Sequence, residues 1–113
     1  VAEILDKMAA ADVIVLSTPV YFYQMNAQMK TLIDRTMACY YDERLSGKDF
    51  YFIVTAAEDK PALERTMDGL RGLTDCIPDA AVRGCIYGAN AWQLGDIQGN
   101  PALDEAYEMG KSI

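Results

Sequence analysis

The strongest constraint on this chain is an alternation. Short runs of β-branched and aromatic residues are separated by longer stretches whose apolar positions recur at the helical period. In residues 1–10, Ile4, Leu5 and Met8 follow that period. Asp12 then introduces Val13-Ile14-Val15-Leu16, a run that fits a strand buried on both faces. Ser17-Thr18-Pro19 is expected to end it, since proline cannot donate to a ladder. Val20 to Met25 reads as an apolar, aromatic loop, and Asn26 as the N-cap of a helix reaching about Tyr41 through Met29, Leu32, Ile33, Thr36, Met37 and Tyr40.

The pattern then repeats. Asp42 to Lys48 is a polar loop, and Phe50 to Thr55 (FYFIVT) is a second strand. Lys60 to Cys76 is a helix with Pro61 in its first turn, weakened toward its end by Gly69 and Gly72. Ala81 to Tyr87 is a weaker third strand, and Gly88 to Gly99 a loop. Asn100-Pro101 opens a last helix with Leu103, Ala106, Tyr107 and Gly110 along one face. The order αβαβαβα over residues 1–113 specifies one α/β domain, a parallel sheet with right-handed crossovers.

Composition narrows the chemistry. A formal net charge of −7 argues against nucleic acid or an anionic membrane as the main partner. The chain contains no histidine, which removes the commonest general base, the commonest metal ligand and every Ser-His or Cys-His pair. An enzyme built this way takes its chemistry from a cofactor. Cys39, Cys76 and Cys85 fit no zinc or iron–sulfur spacing, so no metal is expected. Their odd number suggests a reducing compartment, and Cys39 and Cys85 read as small buried hydrophobes. No apolar run approaches the roughly 18 residues of a membrane span, and a cytoplasmic location is expected.

Residues 11–35, ADVIVLSTPVYFYQMNAQMKTLIDR, carry a resemblance. The strand, Thr18-Pro19-Val20-Tyr21-Phe22, Asn26-Ala27-Gln28-Met29-Lys30 and Ile33-Asp34-Arg35 closely resemble the third strand, flavin loop and third helix of flavodoxin-fold NADPH-dependent FMN reductases. Iron–sulfur flavoproteins and related quinone reductases share this version. Ile53-Val54-Thr55-Ala56-Ala57 and Leu94-Gly95-Asp96-Ile97 agree with it. The resemblance implies a flavodoxin-like three-layer αβα sandwich and an FMN site. Thr18, Pro19, Val20, Tyr21 and Phe22 would line the isoalloxazine ring. Gln24 and Met25 would flank it, and Thr55, Ala56 and Ala57 would form a second loop on its pyrimidine side. Physical reasons run in parallel: ligands of open α/β sheets bind beyond the carboxyl ends of the strands, and a flat apolar cofactor needs aromatic surface with a few backbone donors.

The implied activity is hydride transfer from NAD(P)H through FMN to a small acceptor. No catalytic side chain is assigned, although Tyr21 is the one proton-bearing candidate. A flavodoxin-like electron carrier and a truncated interaction domain without flavin are the alternatives. The second alternative arises because no serine- and glycine-rich phosphate loop opening a helix is found, Ser17-Thr18 and Ser46-Gly47-Lys48 lacking that form. The first strands of the family fold are also unmatched. This suggests a fragment of a longer protein, with the Val13–Leu16 strand left as an open edge and a homo-oligomer as the expected compensation. Asn26 reads as a cap and Arg35 as a salt-bridge or interface residue. Gly95-Asp96 is expected to form a loop-and-cap device, and Trp92 to be a core or subunit contact.

Overall fold

A computed structural model describes residues 2–113; Val1, the first residue of the expected leading helix, lies outside the described residues. Helix α1 (Ala2–Ala10) leads into strand β1 (Val13–Tyr21), and a two-residue strand β2 (Gln24–Met25) precedes helix α2 (Ala27–Arg35). After a 3₁₀ turn at Thr36–Cys39 come β3 (Asp49–Thr55), α3 (Lys60–Asp75), β4 (Ala81–Gly88) and α4 (Pro101–Lys111). The sheet order is β2-β1-β3-β4. The β1/β3 and β3/β4 pairs are parallel, and the small β1/β2 pair is antiparallel.

Register fixes the two faces. Ile14, Leu16 and Thr18 pair with Phe50, Phe52 and Val54, and all six are buried. They meet Leu5 and Met8 of α1 and Leu63, Met67 and Leu70 of α3 in one apolar core, with Met29, Leu32 and Ile33 of α2 at its border. Burying these side chains is the main stabilising term of the domain. The opposite face is covered by α4 on the β4 side, where a Cβ on Gly84 would lie 2.4 Å from the Met109 sulfur. Only a residue without a side chain lets that helix so close.

Four expectations are corrected. The β1 run is not buried on both faces: Val15 is 51 % exposed, because no described helix covers that side of β1. Nor does Pro19 end the strand. It lies inside β1, in register with Thr55. From Val13 to Pro19, β1 pairs only with β3, and an edge strand tolerates proline because its outward N–H has no ladder partner to lose. The α2 helix stops at Arg35 rather than Tyr41, tightening into the 3₁₀ turn where the Thr36 hydroxyl donates to the Ile33 carbonyl at 2.6 Å. In α4 the stripe turned inward is Ala102, Ala106 and Met109, while Leu103 and Tyr107 are exposed. Among the described residues no helix is long and apolar enough to cross a membrane.

Candidate flavin site

The segment Val20–Met25, expected as a loop, is a tight hairpin. Val20 pairs with Met25 and Tyr21 with Gln24, so Phe22 and Tyr23 alone make the turn. Both sit in the left-handed region, with φ of 52° and 64°. Two-residue hairpins need this conformation, and Asn-Gly is their usual sequence signal. Aromatic residues pay a steric penalty there, about 1–2 kcal/mol each, so surrounding contacts must hold the turn.

Three such contacts are visible. The Thr18 side chain, 1 % exposed, accepts from the Asn26 N–H at 3.0 Å and donates to the Pro19 carbonyl at 2.8 Å. This staples the end of the hairpin to its base. The Asn26 side chain in turn accepts from Met29 N–H at 2.9 Å, capping α2 as expected. Met25 lies on α3, where a Cβ on Gly69 would be 3.2 Å from its terminal methyl. The Arg65 guanidinium stands 4.8 Å from the centre of the Tyr23 ring.

The result is a raised aromatic platform. Phe22 is 97 % exposed, and Tyr21 and Tyr23 are also exposed. The second expected loop stands beside it, because Pro19 and Thr55 are register partners at the carboxyl ends of neighbouring strands. Ala56 is fixed from both sides: its N–H donates to the Gly88 carbonyl at 3.0 Å and its carbonyl accepts from Ala91 N–H at 2.9 Å. Asn100 draws α4 to the same rim by donating to the Ala89 carbonyl at 2.8 Å. Thus Pro19, Val20, Tyr21, Phe22, Gln24, Thr55, Ala56 and Ala57 share one end of the sheet. Thr18 lies beneath them with its hydroxyl already used, and Met25 faces α3 rather than the open rim.

These residues fit the ring of a flavin. Exposed aromatic side chains offer stacking surface, small side chains at Ala56 and Ala57 permit close backbone approach, and the turn N–H groups of Phe22 and Tyr23 have no partner among the described backbone groups. The phosphate end of FMN finds no comparable seat in the described residues. Ser46-Gly47 lies at the amino ends of the strands, where Ser46 Oγ donates to the Pro78 carbonyl at 2.9 Å and Lys48 Nζ donates to the carbonyls of Ala9 and Ala11 at 2.8 and 2.6 Å. The helix N-termini at the carboxyl rim are closed by their own side chains, Asn26 on Met29 N–H, Asp59 on Lys60 N–H and Asn100 on Ala102 N–H.

Sequence reasoning did not find the polar network beside the rim. Tyr87, near the end of β4, donates to Glu64 at 2.5 Å, and Arg71 donates to the other oxygen of that carboxylate at 2.5 Å. The Tyr87 hydroxyl, then Arg71, hold the Glu64 carboxyl below its ordinary range. Burial, then Glu64, push the Tyr87 hydroxyl up. Lys60 Nζ stands 4.6 Å from the centre of the Tyr87 ring. Glu64 and Arg71 are seven residues apart on one helix face, a spacing that alone signals nothing without Tyr87. The expected loop device is present: Asp96 accepts from the N–H groups of Trp92 and Gln93 at 3.0 and 2.7 Å. It turns Trp92 outward, so a core role for that side chain is corrected; it is exposed. Cys39 is buried as expected, Cys85 partly so, and Cys76 is exposed.

A parallel sheet with helices on both faces and an aromatic hairpin at its carboxyl rim defines a flavodoxin-like α/β protein. The sequence pattern of NADPH-dependent FMN reductase matches residues 1–86, and the chain belongs to that family of flavin-dependent oxidoreductases. None of the curated proteins compared matches it significantly. Among solved structures it is similar to the Trp repressor binding protein from Bacillus subtilis (20 % identity, TM-score 0.80, over 93 % of this chain and 67 % of that one). It is also similar to an NADPH-quinone reductase from P. pentosaceus (17 %, 0.67, over 91 % and 70 %). An NADH:FMN oxidoreductase in its apo form matches at 19 % and 0.61, over 92 % of this chain and 56 % of that one. At these identities the likeness speaks for the fold.

Proposed function

We propose that the chain binds FMN through its ring and serves hydride transfer from NAD(P)H to a small acceptor such as a quinone or free flavin. The observation that carries this reading is the register pairing of Pro19 with Thr55, which sets the aromatic hairpin and the Thr55–Ala57 loop at one rim. Family membership supports it. When bound, FMN supplies the two-electron redox chemistry. The protein's own residues position it. Tyr21, Phe22 and Tyr23 give a flat apolar surface, the hairpin backbone donates hydrogen bonds, and Gln24 offers an exposed amide. Thr18, Arg65 and Met25 hold the hairpin in shape. No acid–base side chain is required, in keeping with a sequence that has no histidine. A cytoplasmic location, and small molecules rather than nucleic acid or membrane as partners, complete the proposal.

The test is flavin titration of the purified chain, followed by quenching of flavin fluorescence. Saturable binding is expected, weakened in a Tyr21→Ala/Phe22→Ala double variant whose circular dichroism is unchanged. Riboflavin should bind about as well as FMN, since the described rim holds the ring and offers the phosphate no open seat. Absence of quenching, or a double variant that binds like the parent, refutes the ring site. NADPH oxidation with a quinone then separates a reductase from an electron carrier.

A further inference from the structure

The Thr55–Ala57 loop has a second neighbour. Strand β3 lies between β1 and β4, so this loop carries the aromatic hairpin on one flank and the segment after β4, Gly88–Asn100, on the other. Hydrogen bonds fasten that segment to the rim. Ala91 N–H donates to the Ala56 carbonyl and Asn90 N–H to the Glu58 carbonyl, each at 2.9 Å. Gly88 is the register partner of Thr55, and a Cβ on it would lie 2.8 Å from the Thr55 methyl and 3.4 Å from the Ile97 δ-methyl. A residue without a side chain thus lets Ile97 fold back over the end of β4. Gly95 and Gly99, at φ of 92° and 76°, turn the chain on either side of it.

This anchored segment points its largest apolar side chains at solvent. Trp92, held through its own N–H by Asp96, is 77 % exposed, and Leu94 is fully exposed. Neither contributes to the core, and exposed apolar surface beside a ligand rim marks contact with something else. Charge narrows what that is. Val20–Met25, Thr55–Ala57 and Gly88–Asn100 hold one charged residue between them, Asp96, in a chain of which 24 % is charged. Its Oδ2 is already taken by the N–H groups of Trp92 and Gln93. An anion brought to this surface would lose water and meet no counter-charge, whereas an uncharged ring loses nothing. The exposed indole N–H of Trp92 and the exposed amide of Gln93 are donors for ring carbonyl oxygens.

We propose that Trp92 and Leu94 form the seat of the electron acceptor, and that the seat takes an uncharged planar quinone rather than an anionic acceptor. The inference rests on the ring site proposed above and names its acceptor class. Trp92 is the one tryptophan of the chain, so its indole N–H gives a single resonance in a nitrogen-15 spectrum and reports on the seat directly. Duroquinone should shift that resonance saturably in the riboflavin-loaded chain and, less tightly, in the free chain. An anthraquinone disulfonate should bind about tenfold more weakly or worse. Leu94→Ser, at an exposed position that cannot disturb the core, should weaken duroquinone about fivefold. Its riboflavin affinity, read by flavin fluorescence, should match the parent's. The proposal is overturned by an indole resonance that duroquinone does not move saturably, or by a disulfonate that binds as well as duroquinone. It is also overturned if Leu94→Ser loses flavin affinity together with quinone affinity, since Leu94 would then belong to the ring site. An indole resonance that moves with protein concentration before any ligand is added overturns it as well, because a second copy would then cover Trp92. A parent that binds duroquinone at Trp92 but no riboflavin supports the seat and sinks the ring site instead.

Discussion

Two buried threonines should respond in opposite ways to the same substitution. Thr18→Val keeps the shape of the side chain and deletes one hydroxyl. That hydroxyl makes two hydrogen bonds, to Asn26 N–H at 3.0 Å and to the Pro19 carbonyl at 2.8 Å. Each net bond is worth about 0.5–1.5 kcal/mol, and a buried group left unpaired costs more than an exposed one. Asn26 is half-buried, so its N–H regains part of its hydration. The expected loss is about 2 kcal/mol. Thr66, on α3, is also fully buried, but its hydroxyl has no partner. Thr66→Val removes a desolvated, unbonded group and should be neutral or stabilising by up to about 1 kcal/mol. Valine and threonine have nearly equal helix propensity, so the backbone does not confuse the comparison. Urea unfolding followed by far-ultraviolet circular dichroism gives both values, and the two variants should differ by about 2–3 kcal/mol at unchanged slope. A Thr18→Val protein with the parent's midpoint, or a Thr66→Val protein that falls as far as Thr18→Val, would refute the assignment of these hydroxyls.

The hairpin offers a second test. Phe22→Gly removes the steric penalty of a left-handed aromatic residue whose ring buries almost nothing, so stability should rise, by up to about 1 kcal/mol; flavin affinity should fall because the ring surface is lost. Joint loss of stability and affinity on urea unfolding and flavin titration would contradict the platform. A third test concerns Tyr87→Phe, which removes the largest cause of the lowered Glu64 carboxyl. A carboxyl held low in the folded state stabilises above its unfolded value and loses that contribution as pH falls through the folded one. The parent should therefore exceed Tyr87→Phe by about 1 kcal/mol at pH 7, a figure reduced for the half-exposed carboxylate, with the gap closing below about pH 4. Stability curves of parent and variant that stay parallel from neutral to acid pH would sink this account.

The alternation of elements is legible along the chain, since β-branched runs and helical periods are local signals. The Thr18 to Phe22 segment is contiguous and so can be read from sequence, as can the Asn26 and Asn100 caps, because a cap needs only its own next few residues. Other features depend on neighbours remote in sequence. Pro19 stays in β1 because that strand is an edge there, and Val15 is exposed because no described helix covers its side. The α4 helix turns Ala102, Ala106 and Met109 inward, with Met109 seated over Gly84 of β4. Phe22 and Tyr23 take a conformation that no aromatic dipeptide announces; Thr18, Met25 and Arg65 impose it from three separate elements. The Glu64–Arg71–Tyr87 network joins residues of a helix and a strand, so no window of sequence contains it. Propensity acts over a few residues, whereas burial and strain are settled by whatever packs alongside.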